Sequence, residues 1–181
     1  MDSSADVRRA LVASPLGPLT LVAADDALVG VFFDGHRVQP GRAQQGRLLP
    51  AVGDDAVLAA VAVQLEEYFA GERTSFELPT RPSAHNALDP RVWAALARIG
   101  FGETVTYGHI AAALGDRNLA QPVGGAVGRN PLGIVVPCHR VVGAGGKVTG
   151  FAGGTARKTW LLEHEAYVAG HSLVPPTPFQ G

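Results

Sequence analysis

Apolar positions alternate with polar ones in short runs at the start of the chain and recur every three or four residues further on. Residues 11–14, 19–24 and 27–33 have the two-residue period of strands, separated by Pro15-Leu16-Gly17-Pro18 and Asp25-Asp26, with Asp34-Gly35 closing the set. A meander of this kind buries one face and needs a helix on it. Residues 54–70 supply one, with an Asp near the cap, Val57, Val61, Leu65, Tyr68 and Phe69 along one side, and Gly71 past the end. The Gly/Gln/Arg-rich stretch 40–47 is predicted as a loop, and Phe76 and Leu78 predict a last short strand. No polar cluster here has a catalytic pattern. This part reads as scaffold, with a regulatory or oligomerising module as the alternative.

Pro79-Thr80-Arg81-Pro82-Ser83 has the composition of a linker. Asp89-Pro90 then predicts a helix start, Asp as N-cap and Pro at the first helical position, with Val92, Trp93, Leu96 and Ile99 on the apolar face. A second helix is predicted over 106–114, stopped by Gly115. A third follows the Asp116-Arg117-Asn118 turn and ends before Asn130-Pro131. Two short helices joined by a tight turn form a helix-turn-helix pattern, although most helical hairpins bind nothing. Residues 155–168 close the fold with Trp160, Leu161, His164 and Val168 spaced for one buried face. The expected fold is an α/β amino-terminal domain (a small antiparallel sheet plus a helix, residues 1–80), then a mainly helical carboxy-terminal domain (84–169) and a flexible tail (170–181).

Composition narrows the class. With 46% apolar residues the 181-residue chain is globular rather than disordered. No apolar run approaches a membrane span, and the polar start, Met1-Asp2-Ser3-Ser4-Ala5-Asp6, is unlike a signal peptide. A single cysteine excludes an internal disulfide, argues against a cysteine-based structural zinc site and suits a reducing cytosol. The net charge of −1 gives no global support for nucleic acid binding. From Arg98 to Val168, however, seven basic residues stand against four acidic ones, a bias compatible with phosphate contacts.

The lone Cys138 sits in Ile134-Val135-Val136-Pro137-Cys138-His139-Arg140-Val141, between an apolar run and a glycine-rich exit. A thiol is nucleophilic only as thiolate, a form favoured beside imidazolium or guanidinium. In extended chain, neighbouring side chains point to opposite faces, so His139 can serve Cys138 only if the backbone bends or a water bridges them. By itself Cys138 reads either as an inert core thiol or as a nucleophile.

Asn130-Pro131, Pro137-Cys138-His139-Arg140-Val141, Gly150-Phe151-Ala152-Gly153-Gly154 and Trp160-Leu161-Leu162-Glu163-His164-Glu165 together resemble the O6-alkylguanine-DNA alkyltransferases, in order and without forced gaps from about Val92 to Glu165. A weaker resemblance reaches back through Ser14-Pro15-Leu16-Gly17-Pro18-Leu19-Thr20-Leu21. The resemblance implies a single-turnover repair reaction: an alkylated guanine rotates out of double-stranded DNA, and Cys138 takes the alkyl group from O6. It implies His139, through water, as base for Cys138, Glu165 as the carboxylate holding the imidazole, and Asn130 as a tie to the Cys138 loop. Tyr107 matches the family tyrosine near the target phosphate and guanine N3. Val127, Pro131, Val141, Phe151, Ala152 and Gly153 are implied in the lesion pocket, and Ala120, Gln121, Gly124, Arg129 and Arg140 on the DNA side. No metal, nucleotide or redox cofactor is called for. The protein is expected to be a cytoplasmic monomer, nucleoid-associated when bound to DNA.

Each role has a plainer rival: exposed carboxylates are the norm on a helix's polar side, and Val141, Pro131 and Phe151 are as easily core as pocket. Two positions depart from the family pattern. Gln121 stands where the family has the Arg finger that fills the space of the flipped base, and Phe151 stands where a Tyr hydroxyl is usual. Pro122 is expected to start the recognition helix late, with Gln121 at or just before its N-terminus. The alternatives are a lesion-binding module without transfer activity and, more remotely, a cysteine hydrolase, for which no oxyanion hole is identifiable.

Overall fold

Strand β3 is the element onto which both halves of the chain are hydrogen-bonded. In the computed structural model, which describes residues 6–37 and 45–180, β1 (Val7–Val12), β2 (Leu19–Ala24) and β3 (Ala27–Phe33) form an antiparallel meander. The first strand begins four residues ahead of the expected start. Asp25 takes a left-handed φ of 51° in the β2–β3 turn, a conformation that Asp tolerates better than most side chains. A short β4 (Arg47–Leu48) pairs parallel with β1, so Arg47 is a strand residue and the sheet is not purely antiparallel. The rest of the expected 40–47 loop lies, up to Gln44, outside the described residues, as does the start before Asp6.

Helix α1 (Ala56–Ala70) covers one face of the sheet, its first turn closed by Asp55, whose side chain accepts from the Leu58 amide, and its end by Gly71 at φ 78°. Leu58, Val61, Leu65 and Tyr68 are buried against the sheet. Phe76 and Leu78 do not form the expected strand. The Gln64 carboxamide takes the place of a ladder partner: it accepts from the Glu77 amide (2.9 Å) and donates to the Glu77 carbonyl (3.0 Å).

The open edge of β3 is filled twice. The Leu28 amide donates to the Pro79 carbonyl (2.8 Å), and the Arg81 amide donates back to Leu28 (2.9 Å). Further along, the Val31 amide donates to Pro131 (2.8 Å) and the Gly133 amide to Val31 (3.2 Å). The expected linker is thus seated on the sheet through Thr80, and the segment that leads into Cys138 is seated beside it. Exposed strand edges invite pairing with other chains, and this one is used internally.

In the carboxy-terminal half, α2 (Leu88–Leu96) starts one residue before Asp89. Asn86, not Asp89, closes its N-terminus by accepting from the Leu88 and Asp89 amides (2.9 and 3.2 Å). The Asp89 carboxylate is fully buried and serves Arg129 instead. Thr106 caps α3 (Tyr107–Ala113); a 3-10 turn, Arg117–Leu119, leads into α4 (Ala120–Gly128). Pro122 does not delay α4, which opens at Ala120 and holds Gln121 and Pro122 in its first turn, where proline costs no internal hydrogen bond. The pair β5 (Val105–Thr106) and β6 (Val141–Val142) ties the start of α3 to the stretch after Cys138, and α5 (Thr155–Val168) closes the fold. The segment after α5 is not free of contacts: the Phe179 ring lies 5.4 Å from the Arg157 guanidinium.

His36 follows β3, buried and stacked on Phe33, with neither ring nitrogen hydrogen-bonded among the described residues. Burial, helped by the nearby Arg157 charge, lowers its pKa from 6.5 to about 4. The folded state therefore binds fewer protons than the unfolded state between those values. Stability from this site is complete above pH 6.5 and falls as the pH drops toward 4. Replacing His36 by Phe should flatten that part of the profile, measured as melting temperature against pH; an unchanged slope would assign it elsewhere.

Candidate active site

Three elements bring the site together: the segment from Asn130 to Arg140, the pair β5–β6, and one face of α5. After Ile134, which takes a left-handed φ of 68°, the chain tightens into a 3-10 turn at Cys138–Arg140. The Cys138 amide donates to Val136 (2.8 Å) and the Arg140 amide to Pro137 (3.1 Å). This turn departs from the extended chain at the Cys138–His139 pair. Asn130 secures the turn, its carboxamide donating to the Val136 carbonyl (2.9 Å) and accepting from the Leu132 amide (3.1 Å).

On α5, Lys158, Leu161 and Glu165 fall at i, i+3 and i+7 and form one inward stripe. Glu165 is 1% exposed, so the plainer reading of a solvated carboxylate does not hold. His139 donates from Nε2 to its Oε1 (2.7 Å), Tyr68 donates its phenol to the same oxygen (2.8 Å), and Arg140 donates from Nε to Oε2 (2.8 Å) and from a terminal nitrogen to Oε1 (2.9 Å). The Gly102 amide adds a bond to Oε2 (3.1 Å). Burial alone raises the carboxyl's pKa; hydrogen bonds from His139 and Arg140, with the Arg140 charge, outweigh it and pull the pKa far below the usual carboxylate range. Since this carboxylate can only accept, Nε2 carries the imidazole proton. His139 Nδ1 is buried without a partner among the described residues. Burial lowers the His139 pKa against the opposing pull of Glu165, so the ring is neutral with Nδ1 able to take a proton.

The Cys138 thiol is 6% exposed. Burial raises its pKa, while a hydrogen bond from Asn130, the Lys158 charge and local backbone amides act against that rise. Sequence reasoning missed Lys158. Its Nζ is fully buried and donates to the carbonyls of Val141, Thr149 (2.7 Å) and Gly150 (3.3 Å), clamping both ends of the glycine-rich exit. Burial lowers its pKa to about 8, opposed by Cys138. The available signal was its seven-residue spacing from Glu165 through Leu161.

A cavity of about 280 Å³ is lined by Tyr107, Gly124, Val127, Arg129, Phe151 and Ala152, with Arg37 from the amino-terminal half and neighbouring glycines. Cys138, Pro131, Val141 and Gly153 are not among the lining groups. Val141 is core, and Gly153 lets Phe33 pack where a Cβ would lie 2.5 Å from its ring. Tyr107 donates to the Thr149 carbonyl (3.4 Å), and its hydroxyl is raised in pKa by burial first and by Cys138 in small part. Ala120, Gln121 and Gly124 lie on α4, Gln121 exposed and Ala120 and Gly124 half-buried.

The two arginines assigned to DNA are otherwise engaged. Arg140 is buried, bonded to Glu165 and to the Ile99 carbonyl (2.6 Å), so its DNA role is corrected to that of a partner for the buried carboxylate. Arg129 spans α4 and α2 through a forked ion pair with Asp89 (2.6 Å at its shortest), its side chain still 28% exposed.

Among known proteins, two family models match the chain one after the other: the 6-O-methylguanine DNA methyltransferase ribonuclease-like domain over residues 7–82 and the DNA binding domain of the same family over residues 87–167. A methylated-DNA–protein-cysteine methyltransferase from Mycobacterium bovis is 41% identical over 152 residues, covering 84% of this chain and 88% of that protein. Its counterpart in Mycolicibacterium paratuberculosis is 43% identical over 156 residues, covering 85% and 89%. The crystal structure of Mycobacterium tuberculosis OGT in complex with DNA superposes with a TM-score of 0.81 at 37% identity, covering 93% of this chain and 95% of that one. The chain belongs to the methylated-DNA–protein-cysteine methyltransferase family.

Removing the Lys158 charge should be costly because three carbonyls, that of Val141 buried, lose their donor together. Lys158→Met is expected to lower unfolding free energy by about 3 kcal/mol, the scale of a broken buried charge site, read as a lower urea midpoint. A midpoint equal to wild type would mean that the exit loop is held without it.

Proposed function

We propose that this protein repairs double-stranded DNA by moving an alkyl group from O6 of guanine to Cys138 Sγ, once per molecule. The observation that carries this reading is His139, bonded through Nε2 to the buried Glu165 carboxylate and with Nδ1 without a partner among the described residues, one residue from a buried thiol. Because burial keeps Cys138 protonated at rest, a base must act before it attacks. The thiol proton passes through a bridging water to His139 Nδ1, the Sγ–carbon bond forms as the carbon–O6 bond breaks, and the released electron pair returns to the purine. Guanine accepts a proton at N3, for which Tyr107, lining the cavity, is the candidate donor. The thioether has no route to hydrolysis, so the acceptor is spent.

Gln121, exposed in the first turn of α4, is suited to enter the space of the flipped base, but without the charge and reach of arginine. Phe151 offers the guanine an apolar wall in contact with Phe33 (5.8 Å between rings) and no hydroxyl. Arg129 keeps partial exposure for a phosphate beside its pair with Asp89.

Intact-protein mass after incubation with a duplex carrying O6-methylguanine should show one methyl adduct on the wild type and none on Cys138→Ala, with DNA binding retained because phosphate contacts dominate affinity. His139→Ala should slow transfer on the order of a hundredfold. Unmodified wild-type protein with DNA bound would favour the lesion-binding alternative.

Flipping a base costs a few kcal/mol of unstacking, and a finger residue recovers part of it. Gln121→Arg is therefore expected to speed reaction with duplex DNA more than with free O6-benzylguanine, measured as a ratio of second-order rate constants at one salt concentration. Pro122→Ala in the same variant relieves any constraint on the side chain's direction. A ratio unmoved in both variants would mean that Gln121 already serves as an adequate finger.

A further inference from the structure

Tyr68 belongs to α1 in the amino-terminal half, far in sequence from the Cys138 stretch, and nothing in the reaction described above uses it. Its ring is fully buried, packed against Phe69, Phe76, Phe101 and His164. Hydrophobic packing explains the ring but not the hydroxyl. The phenol donates to Glu165 Oε1 (2.8 Å), the same oxygen that receives His139 Nε2 (2.7 Å). The helix turn that carries it is fixed from the other side, because His164, next to Glu165 on α5, bonds the Tyr68 carbonyl (2.9 Å). Two adjacent residues of α5 thus engage the two polar ends of one tyrosine.

We infer that Tyr68 is a positioning residue for alkyl transfer, acting through Glu165 to set the orientation and basicity of His139. The inference rests on the repair reading above. Oε1 shares its electron density among His139, Tyr68 and one Arg140 nitrogen. A donor from the phenol restrains the carboxylate's rotation and weakens its pull on the imidazole proton. Burial, first, and Glu165, second, hold the phenol's pKa well above 10, so it stays a donor throughout the working pH range. The charged and titratable groups acting on this oxygen and the imidazole are Arg140 from the Cys138 turn and Lys158 from α5, with His164 of α5 set against the Tyr68 ring and carbonyl. Among these, Tyr68 supplies the only contact to Glu165 that comes from the amino-terminal half of the described residues.

Tyr68→Phe keeps the ring and deletes only the hydroxyl. Transfer to Cys138 from free O6-benzylguanine, which needs no base flipping, is followed between pH 5 and 9 in wild type, Tyr68→Phe, Glu165→Gln and the double variant, with melting temperature measured alongside. A merely structural tyrosine would lower the melting temperature without moving the pH profile. The expected result is an approximately tenfold slower transfer in Tyr68→Phe, the scale of one hydrogen bond to a charged group. Its acid limb should lie at higher pH, because an unshared carboxylate raises the imidazole pKa and His139 is protonated sooner. In the Glu165→Gln background, Tyr68→Phe should have no further effect on rate, the signature of two residues acting as one unit. Wild-type rate and profile in Tyr68→Phe, or full additivity with Glu165→Gln, would overturn the inference. If wild-type protein itself takes up no benzyl group, the repair reading fails instead, and the two failures are told apart by that control.

Discussion

A buried carboxylate is the constraint from which the rest of this structure follows. Taking Glu165 out of water costs several kcal/mol, and a single partner rarely restores it. Here five hydrogen bonds from four residues converge on it: a phenol from the amino-terminal half, a forked guanidinium, an imidazole and one backbone amide. Each donor is held by the fold in turn. Arg140 is fixed by the Ile99 carbonyl, Tyr68 by an aromatic cluster, and His139 by the 3-10 turn that Asn130 ties down. The chemistry at Cys138 is therefore not a local property of the Pro137-Cys138-His139-Arg140 stretch. It depends on a charge that α1, α5 and the segment after α2 agree to surround.

A second buried charge acts on the thiol. Lys158 organises backbone carbonyls rather than side chains, and it keeps the exit loop wrapped beside the cavity. One helix thus sends an anion to the base and a cation to the loop, two turns apart. The thiol's ionisation is opposed by burial and favoured by Lys158.

The sequence was most legible where a pattern was local. Strands β2 and β3, α1 with its Gly71 end, and the 106–114 helix lie where periodicity and turn residues put them. The motif around Cys138 carried the family resemblance, and His139, Asn130 and Glu165 come together around the Cys138 turn. What it hid was long-range compensation. Asp89 looks like an N-cap because Asp before Pro usually is one, yet its buried carboxylate is taken by Arg129 instead. Arg140 looks like a DNA contact because basic residues near a recognition helix often are, but a buried carboxylate claims it first. Lys158 and Tyr68 were invisible as site residues because a lysine on a helix and a tyrosine in an apolar stripe have ordinary explanations.

The doubly occupied edge of β3 links the geometry of one hairpin to the size of a binding cavity. Side chains on a strand change face with every residue, so a slip of one position reverses the whole set. The register shift between Val22 and Ala23 and the pairing of Val31 with Leu132 fix which face Phe33 presents. That ring nests in the space left by Gly153 and braces Phe151, a wall of the cavity. Heritable change in what the cavity admits can thus arise in the β2–β3 hairpin, at positions that do not line it.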